Sequence, residues 1–170
     1  MSFLDMFAGS GALGLEAASN GAARVVMLEK DRKTASAISL VISKLQAQDV
    51  AQCFAADAFV WLKQSDEVFD VIFIDPPYAL DMQDKAIVEA AKCLGPNGVL
   101  YVERSGVLTS PEVLEQQKLV RLRSMSAGQV TCELLGFAAG ALAALAKAKK
   151  PLRGKAAKIA AKQAQKAAQG

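Results

Sequence analysis

The chain has 170 residues, 52% of them apolar and only 6% aromatic, enough for one core packed mainly by Leu, Val, Ile and Ala. It has no histidine, which excludes a Ser-His triad, a histidine base and histidine metal ligands, and its three cysteines, Cys53, Cys93 and Cys132, have neither disulfide nor metal-ligand spacing. The net charge of +3 is uneven, because residues from Lys147 onward carry eight Lys and Arg and no acid, leaving twelve basic against seventeen acidic residues before them.

These totals predict buried thiols in a reducing compartment. The start, MSFLDMF, has no basic segment before an apolar stretch and does not read as a signal peptide. The charge-free run between Glu133 and Lys147 is thirteen residues, short of the ~18 needed to span a bilayer. A cytoplasmic monomer with no membrane segment and no metal is expected.

In chain order, apolar runs of strand length alternate with segments of helical period, the pattern of βαβ units around a mostly parallel sheet. Phe3 to Phe7 reads as a first strand ending in Ala8-Gly9-Ser10-Gly11, after which Leu13, Ala17 and Ala18 recur at helix spacing. Arg24 to Leu28 is a second strand. Asp31 is placed to start a long helix with Ile38, Val41, Ile42 and Leu45 on its apolar face. Val50 to Ala55 is a third strand and Ala58 to Leu62 a short helix. Phe69 to Ile74, nearly all apolar, is a fourth strand for the middle of the sheet, ended by Pro76-Pro77. A helix over Asp84 to Leu94, a turn at Pro96-Asn97-Gly98 and a strand from Val99 to Val102 follow. Ser110 caps a brief helix with Pro111 in its first turn. Lys118 to Met125 and Gln129 to Leu135 form a closing antiparallel hairpin around Ala127-Gly128. The chain divides into a domain over 1–137 and an Ala/Lys-rich basic tail over 138–170, disordered or partly helical, whose charge suits an anionic partner.

Gly9-Ser10-Gly11-Ala12-Leu13-Gly14 fits G-x-G-x-x-G between a strand and a helix, where the backbone must bend sharply and approach a ligand without side chains in the way. Glu29, twenty residues after Gly9, can accept hydrogen bonds from ribose hydroxyls. This is a nucleoside site in outline, equally open to a nicotinamide dehydrogenase. Asp5, inside an apolar strand, favours methyl transfer, because a buried carboxylate there calls for a cation such as an amino-acid ammonium. A satisfied structural Asp is the other reading. Asp57, after the third strand, either bonds an adenine amino group or caps a helix.

Asp75-Pro76-Pro77-Tyr78 carries the chemistry. Two prolines hold Asp75 and the neighbouring carbonyls rigidly beyond the strand end. The lone pair of an exocyclic amino group is delocalised into its ring, so a carboxylate and a carbonyl gripping its two hydrogens are needed to aim that lone pair at a sulfonium methyl. Tyr78 offers a flat face for an extruded base.

The segments LDMFAGSGALGLEAASNGA, VVMLEKD, FDVIFIDPPY and AGQV, in that order between Phe3 and Leu135, resemble the bacterial 16S ribosomal RNA guanine-N2 methyltransferases of the small-subunit methyltransferase D type. The resemblance implies a Rossmann-like class I fold with a mostly parallel seven-stranded sheet and a C-terminal hairpin. It further implies S-adenosylmethionine as donor, and a guanine amino group in ribosomal RNA or a small-subunit assembly particle as acceptor. Asp5, Gly9 and Gly11 would hold the methionine part, Glu29 the ribose, Asp57 with Ala58 the adenine, and Asp75, Pro76, Pro77 and Tyr78 the target base. Phe7, Ala8, Ser10 and Lys30 complete the candidate cofactor set. The family pattern also has a segment before the first strand, with an Arg-Pro-Thr sequence and a helix, that this sequence does not show. Methylation of a DNA adenine amino group and a non-catalytic nucleic-acid-binding remnant are the alternatives. A dehydrogenase is disfavoured because nothing after the fourth strand offers a hydride-transfer acid or base.

Overall fold

The computed structural model describes residues 1–77 and 82–146. Seven strands form one sheet in the order β3-β2-β1-β4-β5-β7-β6. The first five, β1 (Ser2–Asp5), β2 (Arg24–Glu29), β3 (Ala51–Ala55), β4 (Phe69–Ile74) and β5 (Leu94–Ser105), run parallel. The last two, β6 (Leu119–Ala127) and β7 (Val130–Phe137), form the expected antiparallel hairpin, and β7 pairs antiparallel with β5. Phe69 to Ile74 is the central strand, as its composition predicts.

Period-two alternation distributes the core. Phe3, Val25, Met27 and Val71 point to one face, where they pack with Ala17 of α1 (Ala12–Ser19) and with Ile38 and Ile42 of α2 (Arg32–Lys44). Leu4, Val26, Leu28, Ile72 and Ile74 point to the other and meet α3 (Ala58–Gln64) and α4 (Gln83–Lys92) through Ala58, Leu62, Ala86, Ile87 and Ala90. Val113 and Leu114 of α5 (Pro111–Gln116) close that second layer, and Ser110 accepts a hydrogen bond from the Val113 N–H as the cap.

Three expectations differ. Of the four residues expected on the apolar face of α2, Ile38 and Ile42 are buried and Val41 and Leu45 exposed, because the face turned to the sheet runs through Ala35, Ile38 and Ile42. Pro96-Asn97-Gly98 is not a turn between elements but part of an irregularity within β5. Its partner β4 advances from Phe69 to Val71 while β5 advances from Leu94 to Val99, so the extra residues arch out of the ladder. Of the thiols, only Cys93 is fully buried; Cys53 and Cys132 are half-buried, and all three are free. The expected tail starts as a short helix, α6 (Ala141–Ala146), whose first N–H donates to the Asn97 side chain at 3.1 Å. Residues 147–170, which hold the cationic run, lie outside the described residues. Among those described, no helix is long and apolar enough to cross a membrane.

The sheet's antiparallel side is held by a buried charge. Glu133 on β7 is fully buried; one carboxylate oxygen lies 2.6 Å from Arg121 Nε and the other accepts from the Thr109 N–H and hydroxyl at 2.8 and 2.7 Å. Arg104 Nε stands 3.9 Å away without a hydrogen bond. Removing one member of such a set leaves an uncompensated buried charge. Glu133→Ala is therefore expected to lower stability by about 3 to 5 kcal/mol in urea denaturation. Arg24→Ala, which breaks an ion pair to Glu67 at 39% exposure on each side, should cost under about 1 kcal/mol.

Candidate active site

The strand order places β2 and β4 on opposite sides of β1, so the helices leaving β1 and β4 cross opposite faces and a crevice opens at the strands' C-terminal ends. A cleft of about 880 Å³ occupies it, within the usual size for a small-molecule site. Asp5, Phe7, Ala8, Gly9, Ser10, Glu29, Lys30, Asp57, Ala58, Asp75, Pro76 and Pro77 all line it, although they span seventy residues of sequence. Gly11 does not; it sits behind the turn, where a Cβ would come within 3.2 Å of Ile38. Tyr78 falls outside the described residues.

The glycine turn is built on left-handed backbone at Gly9 (φ +52°) and Gly11 (φ +77°), a conformation that side chains disfavour. The Gly11 N–H closes the turn on the Ala8 carbonyl at 2.7 Å, and the Ala8 N–H donates to the Leu28 carbonyl. The N-cap of α1, Gly11, has no side chain to cap it, and the Asp5 carboxyl takes up the Gly14 amide of the helix's first turn instead. Glu29 staples the turn to β2: one carboxylate oxygen accepts the Gly9 N–H at 2.9 Å and the other the Asp31 N–H at 2.8 Å. Each oxygen keeps a further lone pair for a ligand hydroxyl.

Asp57 is the N-cap of α3, accepting the Phe59 and Val60 N–H groups on one oxygen at 3.0 and 3.3 Å. Its other oxygen lies 3.4 Å from Lys30 Nζ, a pair too exposed to add much stability. The capping reading is thus realised, and the second oxygen remains on the cleft wall.

Asp5 is 2% exposed. Burial pushes its carboxyl up to about 7, against the opposing pull of hydrogen bonds from the Phe7 and Gly14 backbone; the charges of Asp75 and Glu29 raise it further. Asp75, half-buried, is pushed up to about 6 by burial and then by Glu103. Cys53, half-buried near Glu29 and Asp5, is raised to about 11 by burial and those charges and stays a thiol. A concave site with two carboxyls, Asp5 and Asp75, held above their usual range is electrostatically suited to a cationic ligand.

Sequence reasoning missed Phe59, Lys63, Met82 and Lys85 on the cleft wall. Lys63 follows Phe59 by four residues on α3, a spacing that puts both on one helix face and was available as a signal. Lys85 was not foreseeable, since it reaches the cleft only because α4 packs beside α3; its Nζ lies 4.4 Å from the Phe59 ring centre, and that ring meets Phe7 edge-on at 6.2 Å. Arg104 on β5 donates to Asp84, in the first turn of α4, at 2.7 Å. Among the described residues no group of three or more metal-ligating side chains stands together.

Residues 1–136 match the family described as conserved hypothetical protein 95. The ribosomal RNA small subunit methyltransferase D of Buchnera aphidicola is 38% identical over 104 residues, which are 59% of this chain and 54% of that protein. The solved structure of yhhF from Escherichia coli superposes with a TM-score of 0.72 at 31% identity, covering 81% of this chain and 76% of that one. The T. thermophilus 16S rRNA N2 G1207 methyltransferase RsmC, solved in complex with AdoMet and guanosine, gives a TM-score of 0.66 at 25% identity over 80% of this chain and 37% of its own. The chain spans about half the length of the curated relatives it matches, 54% to 60%.

The position of Asp5 has a measurable consequence. Its folded value lies above the unfolded one, so the native state holds its proton more tightly; the stability this contributes is complete below about pH 4 and is lost as pH rises to about 7. Asp5→Asn removes that loss. The stability difference between variant and wild type, from urea denaturation at several pH values, is expected to shift toward the variant by up to about 1.4 kcal/mol per pH unit across that window and then level off.

Proposed function

The chain belongs to the conserved hypothetical protein 95 family, and from that membership we propose that it transfers a methyl group from S-adenosylmethionine to the exocyclic N2 of a guanine in 16S ribosomal RNA. The observation that carries the reading is the meeting, in one cleft at the β1–β4 switch, of the glycine turn, Glu29, Asp57 and Asp75-Pro76-Pro77. A relative that methylates guanine N2 in 16S rRNA shares the fold and is solved with AdoMet and guanosine, which supports both the donor and the base.

The donor set fits the cofactor. Buried Asp5 would face its ammonium, the free lone pairs of Glu29 its ribose hydroxyls, and the second oxygen of Asp57 its adenine amino group, with Phe7, Ala8, Gly9, Ser10, Lys30 and Ala58 as the walls. When bound, S-adenosylmethionine supplies an electrophilic methyl on a sulfonium. The protein's own work is then positional. Pro76 and Pro77 hold Asp75 at the end of β4, where its carboxylate accepts one amino hydrogen and a neighbouring carbonyl the other, localising the nitrogen lone pair. Tyr78 stacks on the base in this proposal on its sequence position alone. The cationic run after Lys147 adds sequence-independent affinity for phosphate.

The test is methyl incorporation into small-subunit particles, free 16S RNA and duplex DNA. Transfer to guanine N2 in the ribosomal substrates supports the reading, and transfer to DNA adenine replaces it. Asp75→Ala should abolish transfer while S-adenosylhomocysteine still binds in a calorimeter; normal transfer by this variant would sink the mechanism. Absence of S-adenosylhomocysteine binding to the wild type would favour a non-catalytic binding module. Because the cofactor ammonium needs ionised Asp5, affinity should fall roughly tenfold per pH unit below about 7, and Asp5→Asn should flatten that dependence.

A further inference from the structure

The mechanism above leaves Glu103 without a part, yet the sheet places it beside Asp75. In the β4–β5 ladder Ile74 pairs with Val102, so Asp75, one residue past the end of β4, follows in register beside Glu103 of β5, close enough to feel its charge. In the β5–β7 ladder Glu103 pairs with Cys132. Period-two alternation then puts Phe73 and Asp75, Tyr101 and Glu103, and Cys132 on one face of the sheet. The contacts bear this out: the Phe73 and Tyr101 rings meet edge-on at 6.0 Å, the Tyr101 hydroxyl lies 3.3 Å from Glu103 Oε2 and 3.1 Å from Cys132 Sγ, and Cys132 Sγ is 3.9 Å from the same carboxylate oxygen. Glu103 is braced from two sides.

We propose that Glu103 is a positioning residue for methyl transfer, which from β5, braced by Tyr101 and Cys132, sets the place and the proton affinity of the Asp75 carboxyl. The inference rests on the reading of Asp75 as the group that faces the target amino nitrogen. Methylation leaves that nitrogen with one hydrogen to shed. The proton passes from nitrogen to a carboxylate oxygen of Asp75, whose carboxyl becomes neutral, and then to solvent. An ordinary carboxylate is a weak acceptor for it. A second negative group alongside strengthens Asp75 as a base while leaving it ionised at neutral pH, which is where a proton acceptor is most effective.

The surrounding groups agree in sign. Asp75 is faced by Glu103 and Tyr101 from β5, Cys132 from β7 and Asp5 from β1, with Glu29 of β2 and Lys85 of α4 on the same cleft. Burial and the Glu103 charge raise Asp75, and burial raises the Tyr101 hydroxyl and the Cys132 thiol, so both braces stay protonated and available to hold the Glu103 carboxylate.

The experiment is a carbon-13 NMR titration of aspartate-labelled protein, with the Asp75 signal assigned from Asp75→Asn, in wild type, Glu103→Gln and Glu103→Asp. The wild-type midpoint is expected near 6. Glu103→Gln should lower it by about one pH unit, and Glu103→Asp, which keeps the charge, should hold it close to the wild-type value. With ribosomal substrate, the acid limb of the kcat–pH profile should move down together with the midpoint in Glu103→Gln, with the KM for S-adenosylmethionine unchanged. An unchanged Asp75 midpoint in Glu103→Gln would overturn the proposal. The titration requires no turnover, so a wild type that methylates none of the substrates counts against the functional reading and leaves this test intact.

Discussion

Parallel pairing of β1 with both β2 and β4 is the constraint on which the rest of the structure depends. Parallel strands end at the same edge of the sheet, so every loop that follows a strand opens on one side. Placing β1 between β2 and β4 divides the connecting helices between the two faces and leaves a crevice where they part. Asp5 ends β1, Glu29 ends β2, Asp57 follows β3 and Asp75 follows β4. Their convergence is a property of topology before it is one of chemistry.

The same convergence creates an electrostatic problem. Asp5, Glu29, Asp57, Asp75 and Glu103 are gathered at one edge, in part away from water, and the described cations nearby are Lys30, Lys63 and Lys85 on the rim. The protein relieves this unevenly. Asp57 is satisfied by helix amides and Lys30, which lower it, and Glu29 by the amides of Gly9 and Asp31. Asp5 and Asp75 remain raised, holding protons more tightly than carboxyls in water. The stapled carboxylates shape the cleft, and the two raised ones take up protons closer to neutrality than carboxyls in water do.

The antiparallel half of the sheet supports this edge from behind. Glu133 neutralises Arg121 and stands near Arg104, and Arg104 in turn reaches Asp84 at the start of α4. The solved relatives share the class I methyltransferase fold.

Much of the fold was legible because it is written locally. Alternating and continuous apolar runs marked the seven strands, six of them within about two residues at each end and β5 by its central four alone, and Asp31, Asp57 and Ser110 marked helix starts that the structure caps with those side chains. The glycine turn and Asp75-Pro76-Pro77 were legible for the same reason, since backbone strain and proline geometry act within a few residues. Other features depended on which strand lies beside which. The exposure of Val41 and Leu45 follows from which face of α2 the sheet receives, and the arch at Pro96-Asn97-Gly98 from the mismatch between β4 and β5. Lys85 and Glu103 carry no local signature. They join the site because α4 packs by α3 and because Ile74 pairs with Val102, so neighbouring strands decide the company that Asp75 keeps. The sequence by itself determined the elements and the chemistry at their ends; only pairing and packing determined which of those ends share a cleft, because contact across strands depends on register rather than on nearness in the chain.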